Sequence, residues 1–389
     1  MSNFIISGLA RLPVALVDNQ FGLVTATGTL NVFGPEFRMD AIEIRGVGSA
    51  LAIFGMVNVS QGFSAIEMSG SSTTIHIGQT GALVTANGDA IFARMSGSLD
   101  LINHGTISTR AIGVSASATD AAADVTIANH GAISGLFHGV QANIGAGRLK
   151  MVNTGTISGL SVGVDIGATE QPVRSALVIN TGVISGGSAA VDGSLGMDVV
   201  RNSGTLQGDV LLLGGNDIFD SRMGVMSGIV NAGAGNDRAY GSQADDQILG
   251  DSGNDTLRGH AGEDTIDGGA DADLVNGGAD DDSLSGGDGA DRLLGGGGND
   301  TLTGGAGSDI FVFNGVAGVD LVTDFTQGAD QLDLAAQGLA LKALLGLAAQ
   351  AAAAGAADLR LDLALIGGTG TIVLDGMGEK VLTGADFLL

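Results

Sequence analysis

The sequence predicts an all-β chain built from two coiled parts, a right-handed parallel β-helix and then a parallel β-roll, with a short helix in the C-terminal cap. Three observations carry that expectation. A phrase centred on Asn-x-Gly-x-Ile recurs in the first part at steps of 22 to 27 residues. From Ala232 the period falls to nine without a gap. The composition pairs 68 Gly with 44% hydrophobic residues in 389, so there is apolar surface to bury and the chain lacks the low hydrophobicity of a disordered one. The boundaries that follow are 1–231 for the β-helix, 232–312 for the roll and 313–389 for the cap.

The first part is read from "NHGTIS" at Asn103, "NHGAIS" at Asn129, "NTGTIS" at Asn153, "NTGVIS" at Asn180 and "NSGTLQ" at Asn202. Weaker copies extend upstream to Gln79, Gly55 and Gly28 and downstream to Gly224, about nine units in all. Alternating stretches such as "SLDLIN", "RLKMVN" and "SALVIN" precede the Asn, and period-two alternation means strand. Short strands bounded by Gly and Asn at a near-constant repeat suit a parallel β-helix, whose coils each return one strand spacing higher. A β-sandwich of irregular strands would give no reason for one phrase to recur at one period. Stacked coils put Val, Ile and Leu inside and align the Asn side chains as an amide ladder. The "N-x-G-x-I-x-G" phrase over about residues 28–228 resembles the β-helical passenger regions of bacterial surface adhesins and autotransporters, which implies fold and a surface habitat rather than an activity.

The second part divides into nine nonapeptides, from "AGAGNDRAY" at Ala232 to "GGAGSDIFV" ending at Val312. Position six is always Asp: Asp237, Asp246, Asp255, Asp264, Asp273, Asp282, Asp291, Asp300 and Asp309. Position eight is always apolar, from Ala239 to Phe311. An acidic Gly-rich linker has no reason to hold an apolar residue there. Residues 232–312 carry 17 acidic and 3 basic side chains, a net charge of 3 minus 17, or −14, so without a divalent cation the segment repels itself. If two nonapeptides close one coil, residues 18 apart are axial neighbours, and the aspartates fall into two columns, 237/255/273/291/309 and 246/264/282/300.

This array resembles the calcium-binding RTX repeats, G-G-x-G-x-D-x-U-x. The resemblance implies several bound Ca2+ ions, held by the nine aspartates and by the loops of Gly250, Gly253, Gly259, Gly262, Gly268, Gly277, Gly286, Gly289, Gly295, Gly298, Gly304 and Gly307. Chemistry agrees with it, because Ca2+ takes six to eight oxygens and a Gly-rich turn can aim carbonyls inward beside a carboxylate. Three loops depart at position four, with Ala244, Asp271 and Asp280 in place of Gly. Asp tolerates the left-handed region better than Ala, so the Ala244 loop is expected to be the weakest. An isolated "GGNDIF" at Gly214 reads as half a unit.

After the array, "DFTQGADQLDL", the Ala-rich "LALKALLGLAAQAAAA" and the ending "DFLL" are similar to the segment that closes RTX proteins and carries their type I secretion signal. The Ala-rich stretch is too short to span a bilayer and contains Lys342 and Gln350, so no transmembrane segment is expected. The first 20 residues have no basic residue before their apolar run, which Arg11 interrupts, unlike a Sec-type leader. The implied partners are calcium and a type I secretion apparatus, and the expected location is secreted, extracellular or cell-surface.

A net charge of −26 argues against nucleic acid and anionic membranes. The candidates for catalysis are few: His76, His104, His130, His138, His260 and the single Tyr240, with none of the common nucleophile or metalloprotease motifs. His104 and His130 share one slot of the coil phrase and are expected to stack at a corner, in a slot that other coils fill with Thr or Ser. The expectation is therefore a non-enzymatic, calcium-binding structural protein of the surface or matrix that self-associates. The alternatives are a calcium-dependent adhesin for a surface or glycan, and a polysaccharide lyase or epimerase on the β-helix.

Overall fold

A computed structural model describes residues 4–6, 9–10, 14–16, 20–27, 29–32, 41–45, 47–60, 64–69, 72–118, 123–145, 147–167, 175–314, 318–352, 357–377, 380 and 382–389. Arg11 and Gly28 lie outside the described residues. The chain divides into two compact units, one of residues 1–218 and 224–228, the other of residues 219–223 and 229–389.

The first unit is a parallel β-helix whose coil has three short strands. One coil runs through Val125–Asn129, Ala132–Gly135 and His138–Asn143. The next runs through Arg148–Asn153, Thr156–Gly159 and Val162–Asp165, each strand pairing in parallel with its predecessor. Inward positions alternate with exposed ones: in Leu99–Asn103, residues Leu99 and Leu101 are buried, and in Arg148–Asn153, Leu149 and Met151 are. This is the period-two pattern realised as a stacked apolar column.

The Asn of the phrase makes the corner. Asn103 Nδ2 donates to Asn129 Oδ1 at 2.7 Å, Asn129 to Asn153 at 2.8 Å, Asn153 to Asn180 at 2.8 Å and Asn180 to Asn202 at 2.9 Å. All five are buried, so the ladder satisfies side chains that would otherwise be costly to desolvate. The Gly two residues on is required by crowding, since a side chain on Gly131 would collide with the Gly105 carbonyl of the coil before.

In the second unit two parallel sheets are built from alternate nonapeptides. Thr256–Ala261, Leu274–Ala279 and Arg292–Gly297 stack in one, with Leu257 opposite Val275 and Val275 opposite Leu293. Thr265–Ala270, Ser283–Gly289 and Thr301–Gly307 stack in the other, with Ile266 opposite Leu284 and Leu284 opposite Leu302. The register is 18 residues per coil, and every position-eight side chain is at most 2% exposed.

Both sheets run on past Val312. Val319–Val322 pairs with Thr301–Gly307 and with Thr371–Leu374, while Gln331–Asp333 pairs with Ile310–Val312 and with Phe387–Leu388. The Ala-rich stretch forms the helix Leu341–Ala352, burying Leu344, Leu347 and Ala348. No helix among the described residues is long and apolar enough to cross a membrane.

Candidate metal centre

The nine position-six aspartates sit at the ends of the Gly-rich turns, each at most 5% exposed. A buried carboxylate needs partners, and seven of the nine accept a backbone N–H of the array along the axis through Oδ1. Asp255 Oδ1 accepts the N–H of Asp237 at 2.8 Å, Asp273 that of Asp255 at 2.8 Å, Asp291 that of Asp273 at 2.8 Å and Asp309 that of Asp291 at 3.0 Å. In the other column Asp264 accepts from Asp246 at 2.8 Å, Asp282 from Asp264 at 2.9 Å and Asp300 from Asp282 at 3.0 Å. The two columns thus consist of residues 18 apart.

The second oxygen is different. Oδ2 of Asp255, Asp264, Asp273, Asp282, Asp291, Asp300 and Asp309 is buried and has no hydrogen-bond partner among the described residues. The first glycine of each unit borders that oxygen: an added Cβ on Gly250, Gly268, Gly286 or Gly304 would stand 2.5 Å from the Oδ2 of the Asp five residues later. Gly259, Gly277 and Gly295 are closer still to Asp264, Asp282 and Asp300. At Gly268 the same space is bounded by the Gly286 carbonyl oxygen, also at 2.5 Å, so a carboxylate oxygen and a carbonyl of the next coil share one small cradle.

The fourth position turns the chain. Gly253, Gly262, Gly298 and Gly307 have φ of 115°, 102°, 135° and 147°, and Gly289 closes against the Asp271 carbonyl. Asp271 and Asp280 take the left-handed conformation at φ 76° and 78°, so these substitutions preserve the turn. Ala244 does not appear in that conformation; its N–H donates to the Ser242 hydroxyl at 3.2 Å and the loop is rearranged.

Electrostatics follow from crowding like charges in a dry turn. Burial, and after it the neighbouring carboxylates, push Asp255, Asp264, Asp273 and Asp282 up from 3.8 to about 7, against the opposing pull of the N–H each accepts. Burial likewise raises Asp309 to about 6 and raises Asp246, Asp291 and Asp300. Orphaned hard oxygens, carbonyls alongside and carboxyls that resist ionising alone are the donor set that a hard divalent cation fits.

Aspartates outside the array share the geometry. Asp320 Oδ1 accepts the Asp300 N–H at 3.2 Å and Asp330 Oδ1 the Asp309 N–H at 3.0 Å, while Asp324 takes the N–H groups of Gly304 and Gly305 at 2.9 and 2.7 Å. In the first unit Asp217 Oδ1 accepts the Asp198 N–H at 2.7 Å. The signal existed: "FTQGADQLD" and "GSLGMDVVR" keep Gly at position four, Asp at six and an apolar residue at eight, but lack the glycine pair that makes the array conspicuous.

The histidines lie elsewhere. His104 and His130 stack with ring centres 4.7 Å apart, and His130 Nδ1 meets the Thr154 hydroxyl at 2.7 Å. His76 lies edge-on to His104 at 5.7 Å and to Phe54 at 5.6 Å. His138 is 3.6 Å from Asp165, and His260 is partly buried in the second unit near Tyr240.

Residues 227–257, 249–284 and 285–316 each match the family model "RTX calcium-binding nonapeptide repeat (4 copies)". A search of curated proteins finds no match. Among solved structures, the chain is similar to the solution structure of the AlgE6R3 subunit from the Azotobacter vinelandii mannuronan C5-epimerase, at 24% identity over 40% of this chain and 78% of that one, with a TM-score of 0.19.

Proposed function

We propose that this chain, whose residues 227–316 are RTX calcium-binding nonapeptide repeats, is a secreted structural protein of the cell surface or extracellular matrix that folds on binding calcium. The observation that carries the reading is the row of buried, unpartnered Oδ2 atoms from Asp255 to Asp309, each beside a glycine cradle. Bound Ca2+ supplies the positive charge that these carboxylates lack. The residues that would hold it are the position-six aspartates from Asp255 to Asp309 and the carbonyls of the turns. Strands as short as Arg238–Tyr240 and Gln247–Leu249 have little stability of their own, so binding energy becomes folding energy.

Such a device suits export through a type I apparatus. The chain leaves unfolded from a compartment poor in calcium and folds where calcium is millimolar, the range of extracellular modules. For the structural role the support is architectural: parallel sheets have edges able to pair with a second copy, and the first unit exposes Leu136, Phe137 and Leu160 together at its coil turns. Electron microscopy with light scattering on the full-length chain, in EGTA and then in millimolar calcium, tests it. Filaments or sheets that appear only with calcium support a self-assembling role; dispersed single particles contradict it.

A second reading, an adhesin that grips a glycan, is favoured by one feature. The rings of Phe54, His76, His104 and His130 form a continuous row beside Gln79 and Thr80, an aromatic and polar surface of the kind that packs on sugar faces.

A further inference from the structure

The position-six aspartates are not equivalent. In the loops of Asp255 to Asp309, where Oδ2 has no hydrogen-bond partner among the described residues, the residue at position two is left-handed in every case: Asp251, His260, Gly269, Gly278, Gly287, Gly296 and Gly305, with φ between 70° and 131°. Asp246 is built otherwise. Its Oδ2 accepts the N–H of Ser242 at position two, the Ser242 hydroxyl lies 3.3 Å from Oδ1, and Ala244 donates to that hydroxyl at 3.2 Å.

The bond from the position-two N–H to Oδ2 recurs twice outside the array, with the hydroxyl bonds repeated at Ser194 while the Thr326 hydroxyl donates instead to the Asp324 carbonyl. Thr326 N–H donates to Asp330 Oδ2 at 2.7 Å. In the first unit Ser194 N–H donates to Asp198 Oδ2 at 2.7 Å, with the hydroxyl 3.3 Å from Oδ1 and the Gly196 N–H 3.1 Å from the hydroxyl. Ser194, Ser242 and Thr326 are all absent from the left-handed region. A hydroxyl residue at position two thus goes with a turn of the other hand, which delivers a backbone N–H to the oxygen that the glycine loops leave open.

We infer that the loops of Asp198, Asp246 and Asp330 are sealed by the protein and take no calcium, the N–H of the Ser or Thr standing where the cation stands in the open loops. The inference rests on the calcium reading above. Within the second unit the sealed loops terminate the cation-bearing runs: Asp246 is the first aspartate of one column and Asp330 follows the last array aspartate of the other. Ser or Thr at position two is then the sequence mark of a terminal loop, and Gly, Asp or His there the mark of a calcium loop.

A crystal structure of the full-length chain grown in millimolar calcium decides it. Ions are expected beside Asp264 and Asp273, with none beside Asp246 or Asp330. An ion within about 2.6 Å of Asp246 Oδ2 would overturn the inference and leave the calcium reading intact, whereas no ion beside any aspartate would overturn both. A second test is the double variant Ser242→Gly, Ala244→Gly, which restores the glycine pattern. Equilibrium dialysis is expected to count one more calcium per chain than in the wild type, and an unchanged count would contradict the sealed loop. Should that variant not fold, the wild-type crystal structure still gives the answer.

Discussion

Asp264 donates its backbone N–H to Asp282 Oδ1 at 2.9 Å, one coil on, while Asp282 Oδ2 is buried with no hydrogen-bond partner among the described residues. One carboxylate therefore does two jobs. Its first oxygen ties adjacent coils, and its second is left open to a cation.

Replacing Asp282 by Ala removes both. The expected outcome is a loss of about 1.5–3 kcal/mol from the tie alone and a higher calcium concentration for folding, measured by circular dichroism titration. Asp245→Ala is the matched control. Asp245 accepts the Glu263 N–H at 2.9 Å from an exposed position, so its loss is expected to be the smaller, and equal losses would contradict the register.

Filling a cradle acts without touching charge. Gly268→Ala places a Cβ 2.5 Å from Asp273 Oδ2 and is expected to raise the calcium midpoint of folding. Gly346→Ala, in the helix Leu341–Ala352 with nothing within 4 Å of the new Cβ, is expected to stabilise by roughly 0.5–1 kcal/mol with no change in calcium response. Thermal melts at two calcium concentrations separate the two outcomes.

The response to pH has a definite sign. Asp255, Asp264, Asp273 and Asp282 are raised from 3.8 to about 7, so between those values the cation-free fold binds more protons than the unfolded chain. Stability without calcium is then expected to fall as pH rises from 4 to 7, while calcium affinity rises, because the ion requires the ionised form. Lowering the pH from 8 to 6 is expected to raise the calcium midpoint by about tenfold or more. A midpoint independent of pH in this window would show that the carboxyls are already ionised.

The Asn ladder is a calcium-independent counterpart. Asn153→Ala removes a donor to Asn180 at 2.8 Å and leaves Asn129 without its acceptor at 2.8 Å. A loss of roughly 2–4 kcal/mol is expected in the β-helix melt, with the calcium response of the roll unchanged.

Much of this was legible because repetition converts sequence into geometry. A constant step of nine with Asp at six and an apolar residue at eight can stack in few ways, and the pairing of Leu257 with Val275 follows from it. The Asn corner was legible for the same reason, since one polar residue at one slot of successive coils has only its own kind as neighbour. The third strand of a coil is legible about ten residues after the Gly in "DAIFARMSG" and "VGVDIGA", where Ile91–Met95 and Val162–Asp165 form, but not at Val114–Ala118, where "VSASA" alternates small residues rather than large apolar ones. The aspartates at 198, 320 and 330 are not legible through glycines, because there the chain keeps an Asp in the axial hydrogen-bonded column without the glycine pair. The Ser242 seal was not legible at all: a backbone N–H belongs to every residue, and only the hand of the turn decides where it points.

Segment-resolved amide hydrogen exchange on the full-length chain, in excess EGTA and in millimolar calcium, tests the central claim most directly. Residues 232–312 are expected to lose protection in EGTA and regain it with calcium, while strands from Leu99–Asn103 to Met197–Asn202 stay protected in both. Equal protection of residues 232–312 in the two conditions would contradict calcium-driven folding.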